Sequence, residues 1–247
     1  MKAYIEDIIK TKYNNEVITK SDIATTFSEI GMDLTDTGLR QEIHKLIKKG
    51  ILQSTRRGVY SLNVKDDYSP VIDYFINKVR TLFIKNYSEI NYCIWSTHWL
   101  NDFMIHQPFH WFYIFETEAD MLESAFNLFK SNGLNAFINP DKSVLENYVT
   151  EEKRSIVIRK ITSRSPLKAV QNNKVPTLEK ILVDTFCDKD LFYFYHGNEL
   201  TNIFRFADDR FKINYSLLLR YADIRERKKL LIDFLSEKVK INEKLLK

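Results

Sequence analysis

A short basic turn is the first stretch of this 247-residue sequence whose residue types point to a chemistry. Residues 53–62, QSTRRGVYSL, place Arg56 and Arg57 beside Gly58 between two short β-prone runs. A hairpin tip needs a glycine but not two adjacent arginines, whereas cationic side chains on a projecting turn can reach phosphates or a narrow minor groove. The turn therefore predicts a wing that contacts nucleic acid.

The helix predicted just upstream, in TDTGLRQEIHKLIKKG, has a polar face suited to the same partner. Its apolar stripe consists of Leu39, Ile43, Leu46 and Ile47. The residues between them are expected to face outward, and Arg40 and Gln41 can pair with guanine and adenine in the major groove. The predicted DNA-binding residues are Thr37, Arg40, Gln41, His44, Lys45, Lys48, Arg56 and Arg57. The alternatives are a solvated helix face, or a winged helix that binds protein, which a flat apolar face would favour.

A second stretch, PDKSVLENYVTEEK, contains the residue types of a PD-(D/E)xK nuclease. Asp141, Glu151 and Lys153 could hold a divalent metal and orient a water molecule. However, the pattern precedes the predicted strand RSIVIRKI, and E-x-K arises often by chance in a chain with 28% charged residues. A metal-dependent nuclease is therefore the alternative function.

Histidines and glutamates elsewhere give weaker signals. His98, His106 and His110 match no compact zinc-ligand spacing, and packing with nearby tryptophans is their expected role. Glu116 and Glu118 could face the same side of a strand end, but they are expected to be solvated. The sequence contains no phosphate-binding loop and no nucleophile elbow. No metal, cofactor or catalytic residue is predicted, and the protein is expected not to be an enzyme.

The elements that position these residues follow from apolar spacing and helix-ending signals. Three helices precede the basic turn; Ser21 is the expected N-cap of the second helix, and Gly31 and Gly50 are expected to end the second and third. The polar stretch NVKDDYSP predicts a domain boundary, after which Ser69 and Pro70 are expected to begin another helix.

Beyond this boundary strand and helix signals alternate. TSRSPLKAVQNNKVPT is expected to be a surface loop, and the chain after it is expected to be helical. The predicted fold class is α+β: residues 1–65 form a winged helix-turn-helix domain and residues 66–165 a mixed α/β core. Residues 166–247 are expected to form a helical C-terminal part packed on that core.

Composition and charge restrict the class of protein. A formal net charge of +4 permits an anionic partner without requiring one. Cys93 and Cys187 lie in apolar surroundings, which predicts reduced thiols in a cytoplasmic protein. No apolar run approaches the roughly 20 residues of a membrane span, so no membrane partner is expected.

The chain also resembles a known family over nearly its whole length. The winged-helix pattern ending in RRGVYSL, together with IWSTHWLNDFMIHQP, VPTLEKILVDTF and NYSLLLRYADIRERKKLLIDFL, resembles the AbiEi-type antitoxins of type IV toxin–antitoxin systems. The resemblance implies that the winged helix binds inverted repeats at the operon's own promoter and represses it. It also implies that the C-terminal domain counters a nucleotidyltransferase-like toxin without a stable complex.

The residue roles that this resemblance implies are of two kinds. The DNA role falls on Arg40, Gln41, His44, Arg56 and Arg57. The antitoxin surface falls on Arg220, Arg225, Arg227, Lys228 and Lys229. The alternative is that these residues are simply the exposed face of a terminal helix. The stretch YADIRER also departs from the family, in which a tighter arginine pair is expected after YA. Inverted repeats require two copies on the DNA, as a dimer or as cooperative monomers.

Overall fold

The computed structural model describes residues 2–13, 17–150 and 154–246. These residues form an α+β fold with small sheets, as predicted. The chain divides into two compact units. Unit 1 comprises Met1–Asp67 and Asp208–Lys247, and unit 2 comprises Tyr68–Ala207. Within the described ranges, no helix combines the length and apolar character needed to cross a membrane.

The N-terminal part of unit 1 combines three helices with a three-stranded antiparallel sheet. Its elements are α1 (Lys2–Tyr13), β1 (Val17–Thr19), α2 (Lys20–Glu29), α3 (Asp36–Lys48), β2 (Gln53–Arg56) and β3 (Val59–Ser61). Strand β3 lies between β1 and β2. The helices and the sheet bury one apolar core: Ile9, Ile18, Ile23, Phe27, Leu39, Ile43, Leu46, Ile51 and Leu52.

Helix α2 begins at a capping box, earlier than expected. The backbone N–H of Asp22 donates to Thr19 Oγ1 at 3.1 Å, and the backbone N–H of Thr19 donates to Asp22 Oδ2 at 2.7 Å. The expectation that Ser21 is the N-cap is therefore wrong, because Thr19 already satisfies the first turn and Ser21 lies inside it. Gly31 ends the helix as predicted, with φ +76°.

Helix α3 ends before Gly50, as the sequence predicts. Thr35 is its N-cap, because Thr35 Oγ1 accepts from the backbone N–H of Gly38 at 3.2 Å. Gly50 adopts φ +68° just beyond the helix, a conformation that glycine takes without steric cost. Leu39, Ile43 and Leu46 are buried, so the opposite face of α3 is turned to solvent.

Unit 2 is a mixed sheet with helices. Its elements are α4 (Tyr74–Asn86), β4 (Tyr92–Ser96), β5 (Tyr113–Thr117), α5 (Leu122–Ser131), β6 (Ala136–Ile138), the single turn α6 (Lys142–Val144), β7 (Ile156–Lys160), β8 (Leu167–Val170), β9 (Asn173–Pro176) and α7 (Leu178–Cys187). One sheet has the order β4-β5-β7-β6. Strand β4 is antiparallel to β5, whereas β5 and β6 both run parallel to β7. Every residue of β4 and β5 is buried, so both faces of this sheet are covered.

Two local expectations in unit 2 are wrong. Helix α4 begins after Asp73, whose carboxylate accepts from the backbone N–H of Ile76 at 2.8 Å, and not at Ser69 and Pro70. The stretch expected to be a loop contains the hairpin β8–β9. Gln171 and Asn172 form its two-residue turn with φ +47° and +64°, values that make a tight hairpin but that non-glycine residues seldom adopt.

Three further α-helices follow α7 in the described part of the chain. These are α8 (Asn198–Arg210), α9 (Tyr215–Ile224) and α10 (Lys228–Phe234). The expected division at residue 166 differs from the structure, because residues 208–247 belong to unit 1 and not to the α/β core. Helix α9 packs against β2, and the backbone N–H of Lys212 donates to the Asp66 carbonyl at 2.9 Å. These contacts are between residues far apart in sequence, so local patterns could not reveal them.

Candidate functional site

The outward face of α3 carries the predicted polar residues. Its six members are all exposed: Thr37, Arg40, Gln41, His44, Lys45 and Lys48. Their orientation follows from the buried stripe on the opposite side of the helix. The predicted outward placement of this set is therefore confirmed.

Ion pairs fix the N-terminal end of this face. Arg40 Nη2 lies 2.8 Å from Asp36 Oδ2, one helical turn earlier, and Lys20 at the start of α2 contacts the same carboxylate. The hydrogen bond from Lys20 and the charge of Arg40 hold the pKa of Asp36 below its usual value. The Arg40 side chain is still 73% exposed, so it can exchange its partner for a ligand.

The basic turn between β2 and β3 separates its two arginines. Gly58 adopts φ +74°, which allows the tight reversal. Arg57 is exposed, and within residues 2–13, 17–150 and 154–246 it has no ion-pair partner. Arg56 is half-buried, and its Nη1 donates to the Leu245 carbonyl at 3.4 Å. The sequence predicted two equivalent contacts, whereas Arg56 is held by a residue near the other end of the chain.

The turn lies next to the beginnings of α2 and α3. The backbone N–H of Lys20 donates to the Gly58 carbonyl at 2.9 Å, and Lys20 reaches Asp36 through its side chain. Burial raises the pKa of Tyr60 on β3, and the positive charge of Arg40 opposes that increase. Lys20 therefore links the basic turn to the start of α3, where Arg40 pairs with the same Asp36 carboxylate.

The cations expected to form the antitoxin surface lie in unit 1. Arg220, Arg227, Lys228 and Lys229 are exposed, and Arg225 is half-buried. Unit 1 as a whole holds 22 of the 37 lysines and arginines and 17 of the 33 aspartates and glutamates, a formal charge of +5. Unit 2 holds the remaining 15 and 16, a formal charge of −1. Hence the excess positive charge lies entirely on the unit that contains α3 and the basic turn.

Unit 2 contains a buried charge cluster that the sequence analysis missed. Lys180 on α7 is completely buried, and its Nζ lies 2.8 Å from Glu116 Oε2 and also contacts the Asp184 carboxylate. Glu116 is 3% exposed, so the expectation that it is solvated is wrong. Burial raises the pKa of Glu116, Asp184 adds to the increase, and Lys180 opposes it. The i, i+4 spacing of Lys180 and Asp184 indicates an ion pair on one helix face, but it does not indicate that this pair is buried.

Two further groups surround this cluster. Arg159 Nη1 donates to Asp188 Oδ2 at 2.9 Å. Cys93 lies opposite Glu116 in the β4–β5 register, and burial together with that carboxylate raises the pKa of its thiol. Neither cysteine forms a disulfide in the described residues; Cys93 is buried and Cys187 is half-buried. A buried thiol with a raised pKa is a poor nucleophile.

Of the three residues of the nuclease pattern, the structure describes only Asp141. Asp141 caps α6, because its Oδ1 accepts from the backbone N–H of Val144 at 2.9 Å. Glu151 and Lys153 lie outside the described residues. In the part of the chain that the structure describes, no group of three or more His, Cys, Asp and Glu side chains could hold a metal ion.

His98 and His106 of unit 2 have separate local partners. The rings of His98 and Trp111 lie 4.7 Å apart, in agreement with the expected packing. His106 Nδ1 lies 2.8 Å from Glu199 Oε1, and the same carboxylate accepts from the backbone N–H groups of Ile105 and His106. Glu199 therefore fixes the loop after Met104.

These observations define the class of the protein as an α+β protein with a basic helix-and-hairpin surface. The chain belongs to DUF6577, described as a family of unknown function, which it matches over residues 38–241. No curated protein matches the sequence. Among solved structures, the crystal structure of the RV2827C protein from Mycobacterium tuberculosis aligns with 95% of this chain and 80% of that chain, at 12% identity and a TM-score of 0.27. A likeness at that TM-score carries no argument about this chain.

Proposed function

We propose that unit 1 is a winged helix-turn-helix domain through which the protein binds promoter DNA and represses its own operon. The observation that carries this proposal is the exposed polar face of α3 beside the basic β2–β3 turn. The chain order of α1, β1, α2, α3, β2 and β3 supports a winged helix, in which α3 would be the recognition helix and the turn the wing.

The dimensions of α3 suit this role. Its 13 residues span roughly 20 Å, and a helix of ordinary diameter fits a major groove about 12 Å wide. Arg40 and Gln41 lie in its first two turns, the part of a recognition helix that contacts base edges. Arg57 on the wing would then contact a phosphate or the adjacent minor groove.

The charge distribution supports the same partner. The net charge of +5 on unit 1 favours association with a polyanion, and Arg40, Lys20 and Arg57 concentrate cations where α3 would enter the groove. A protein-binding winged helix would be favoured by an apolar outer face, whereas the outer face of α3 is polar and exposed.

The second half of the proposal is an antitoxin activity against a nucleotidyltransferase-like toxin, without catalysis by this chain. The resemblance to AbiEi-type antitoxins supports it. The cations at and between the ends of α9 and α10 remain the candidate antitoxin surface, and they belong to unit 1. A neighbouring gene for such a toxin, and growth restored when this chain is expressed with it, are the expected observations.

DNA binding is tested by fluorescence anisotropy with a duplex of the operon's own promoter over a range of salt concentrations. Arg57→Ala should weaken binding to every duplex and reduce the slope of log affinity against log salt by about one. Arg40→Ala should cost about 1–3 kcal/mol on the promoter and reduce the discrimination against unrelated DNA.

The matched control is Lys85→Ala, which removes an exposed cation from unit 2 and should change neither quantity. If the wild-type protein shows no preference for its promoter, or if both arginine variants bind like the control, the proposed function is wrong.

A further inference from the structure

The last residues of unit 1 form a turn that is built into the sheet carrying the wing. We call Asn242–Leu246 the C-terminal turn. The Asn242 side chain caps it by accepting from the backbone N–H of Lys244 at 2.9 Å. Leu245 and Leu246 are buried, so the turn is anchored by apolar side chains while Lys244 remains 46% exposed.

The C-terminal turn contacts both outer strands of the β1-β3-β2 sheet. The Leu245 carbonyl accepts from Arg56 Nη1 on β2 at 3.4 Å. Lys244 Nζ donates to the Val17 carbonyl on β1 at 3.3 Å and lies 3.4 Å from Asp22 Oδ2. Asp22 belongs to the first turn of α2. This helix begins at Lys20, whose backbone N–H donates to the carbonyl of Gly58 in the basic turn. The turn therefore lies beside the wing and the start of α2.

On this basis we infer that the C-terminal turn is part of the DNA-binding surface, an inference that rests on the proposed function of unit 1. Lys244 contacts a backbone phosphate of the duplex, and the Leu245 carbonyl positions Arg56 for a second phosphate. The first 60 residues and the last few residues of the described chain would then contact the same segment of the DNA duplex.

The pairing of Lys244 leaves it available for a phosphate. Asp22 Oδ2 already accepts from the backbone N–H of Thr19 at 2.7 Å, so the carboxylate keeps a donor when Lys244 moves away. The Lys244 side chain is partly exposed, and exposed ion pairs such as Lys244–Asp22 contribute little to stability. Exchange of Asp22 for a DNA phosphate therefore costs the fold little.

The contact of Arg56 orients the guanidinium without neutralising its charge. A carbonyl is an uncharged acceptor, and a guanidinium has five N–H donors, most of which remain for another ligand. Arg40, by comparison, is paired with the Asp36 carboxylate. Among the described residues, Asp22 and Asp36 are paired with cations of this surface, and the exposed Glu243 lies on the C-terminal turn itself. The cations are Lys20, Arg40, Arg56, Arg57 and Lys244.

The test is Lys244→Gln in the full chain, titrated with promoter DNA and with an unrelated duplex at several salt concentrations. Affinity should fall on the order of fivefold at 0.1 M salt on both duplexes, and the salt slope should decrease by about 0.9, because one phosphate contact is lost. Lys244→Arg keeps the charge and should restore both quantities. Lys85→Gln, with the same loss of charge in unit 2, should leave both unchanged.

The outcomes separate this inference from the proposed function. If Lys244→Gln binds with wild-type affinity and salt slope while Arg57→Ala is impaired, the C-terminal turn is not part of the interface and the proposed function stands. Weaker binding without a change in salt slope, or a lower melting temperature that Lys244→Arg shares, would make Lys244 a purely structural residue and overturn the inference. Absence of promoter binding by the wild-type protein overturns both.

Discussion

The two units of this protein use charged residues in opposite ways. In unit 1 the cations on the outer face of α3 are exposed, and Arg40 is paired at the surface with Asp36. In unit 2 Lys180 is fully buried between Glu116 and Asp184. Exposed pairs contribute little to stability and can be exchanged for a ligand, whereas a buried pair is costly to break and is closed to ligands. Burial, rather than residue type, therefore decides which charges can serve binding.

The largest expected effect comes from removing the buried cation. Lys180→Met leaves Glu116 and Asp184 in the core without their ammonium partner, so we expect a loss of about 3–5 kcal/mol in the free energy of unfolding. Trp95, Trp99 and Trp111 all lie in unit 2, so tryptophan fluorescence during denaturant unfolding reports on this unit.

Lys189→Met is the control for this substitution, because Lys189 is exposed just beyond α7. It should change stability by no more than about 0.5 kcal/mol. Equal unfolding midpoints for the two variants would contradict the contrast between the units.

The pH dependence of unit 2 gives a second, smaller effect. Burial raises the pKa of Glu116 above its ordinary value of 4.5, so between that value and the raised pKa the folded state binds more protons than the unfolded state. Stability should therefore fall as pH rises through this window, by at most about 1.4 kcal/mol per pH unit from this group. Denaturant midpoints measured from pH 4.5 upward, with Glu116→Gln beside the wild type, would detect it.

Glu116→Gln should flatten that part of the profile, because it removes the titrating group. Glu123→Gln changes an exposed carboxylate on α5 and should keep the wild-type slope. A profile that is unchanged in Glu116→Gln would mean that this carboxyl does not titrate differently in the two states.

The smallest effect concerns unit 1, in which α2 begins at a local cap. Thr19→Ala removes the capping box of α2 and should cost about 1 kcal/mol. Ser21→Ala, two residues later, should stay within about 0.5 kcal/mol. Hydrogen exchange of peptides from α2 measures both, and equal exchange rates in the two variants would show that Thr19 does not determine the helix start.

The sequence was sufficient wherever the determining contacts are local. Helix α3 was predicted from its apolar spacing and from Gly50, and its outward residues followed from the same periodicity. The hairpin β8–β9 was missed because its turn residues, Gln171 and Asn172, adopt positive φ without being glycine. Strand β1 was missed because three residues, Val17–Thr19, are too few for an alternating pattern to be recognised.

Long-range contacts were not predictable from one sequence. Lys180 and Asp184 have the spacing of an ordinary surface ion pair, and Glu116, the residue that completes the cluster, lies 64 positions away. The sequence predicted the same role for Arg56 and Arg57, but Arg56 donates to the carbonyl of Leu245, 189 positions away. The assignment of residues 208–247 to unit 1 depends on contacts of the same kind.

That assignment makes unit 2 an insertion within unit 1, since residues 68–207, 140 in number, separate the two segments of unit 1. Bringing together the ends of an unstructured loop of this length costs roughly 4 kcal/mol, because closure entropy grows with the logarithm of loop length. A folded insertion has already restricted that freedom. Unfolding of unit 2 would therefore lower the local concentration of the C-terminal turn at the β2–β3 turn. Chain connectivity alone thus makes the surface of one unit sensitive to the integrity of the other.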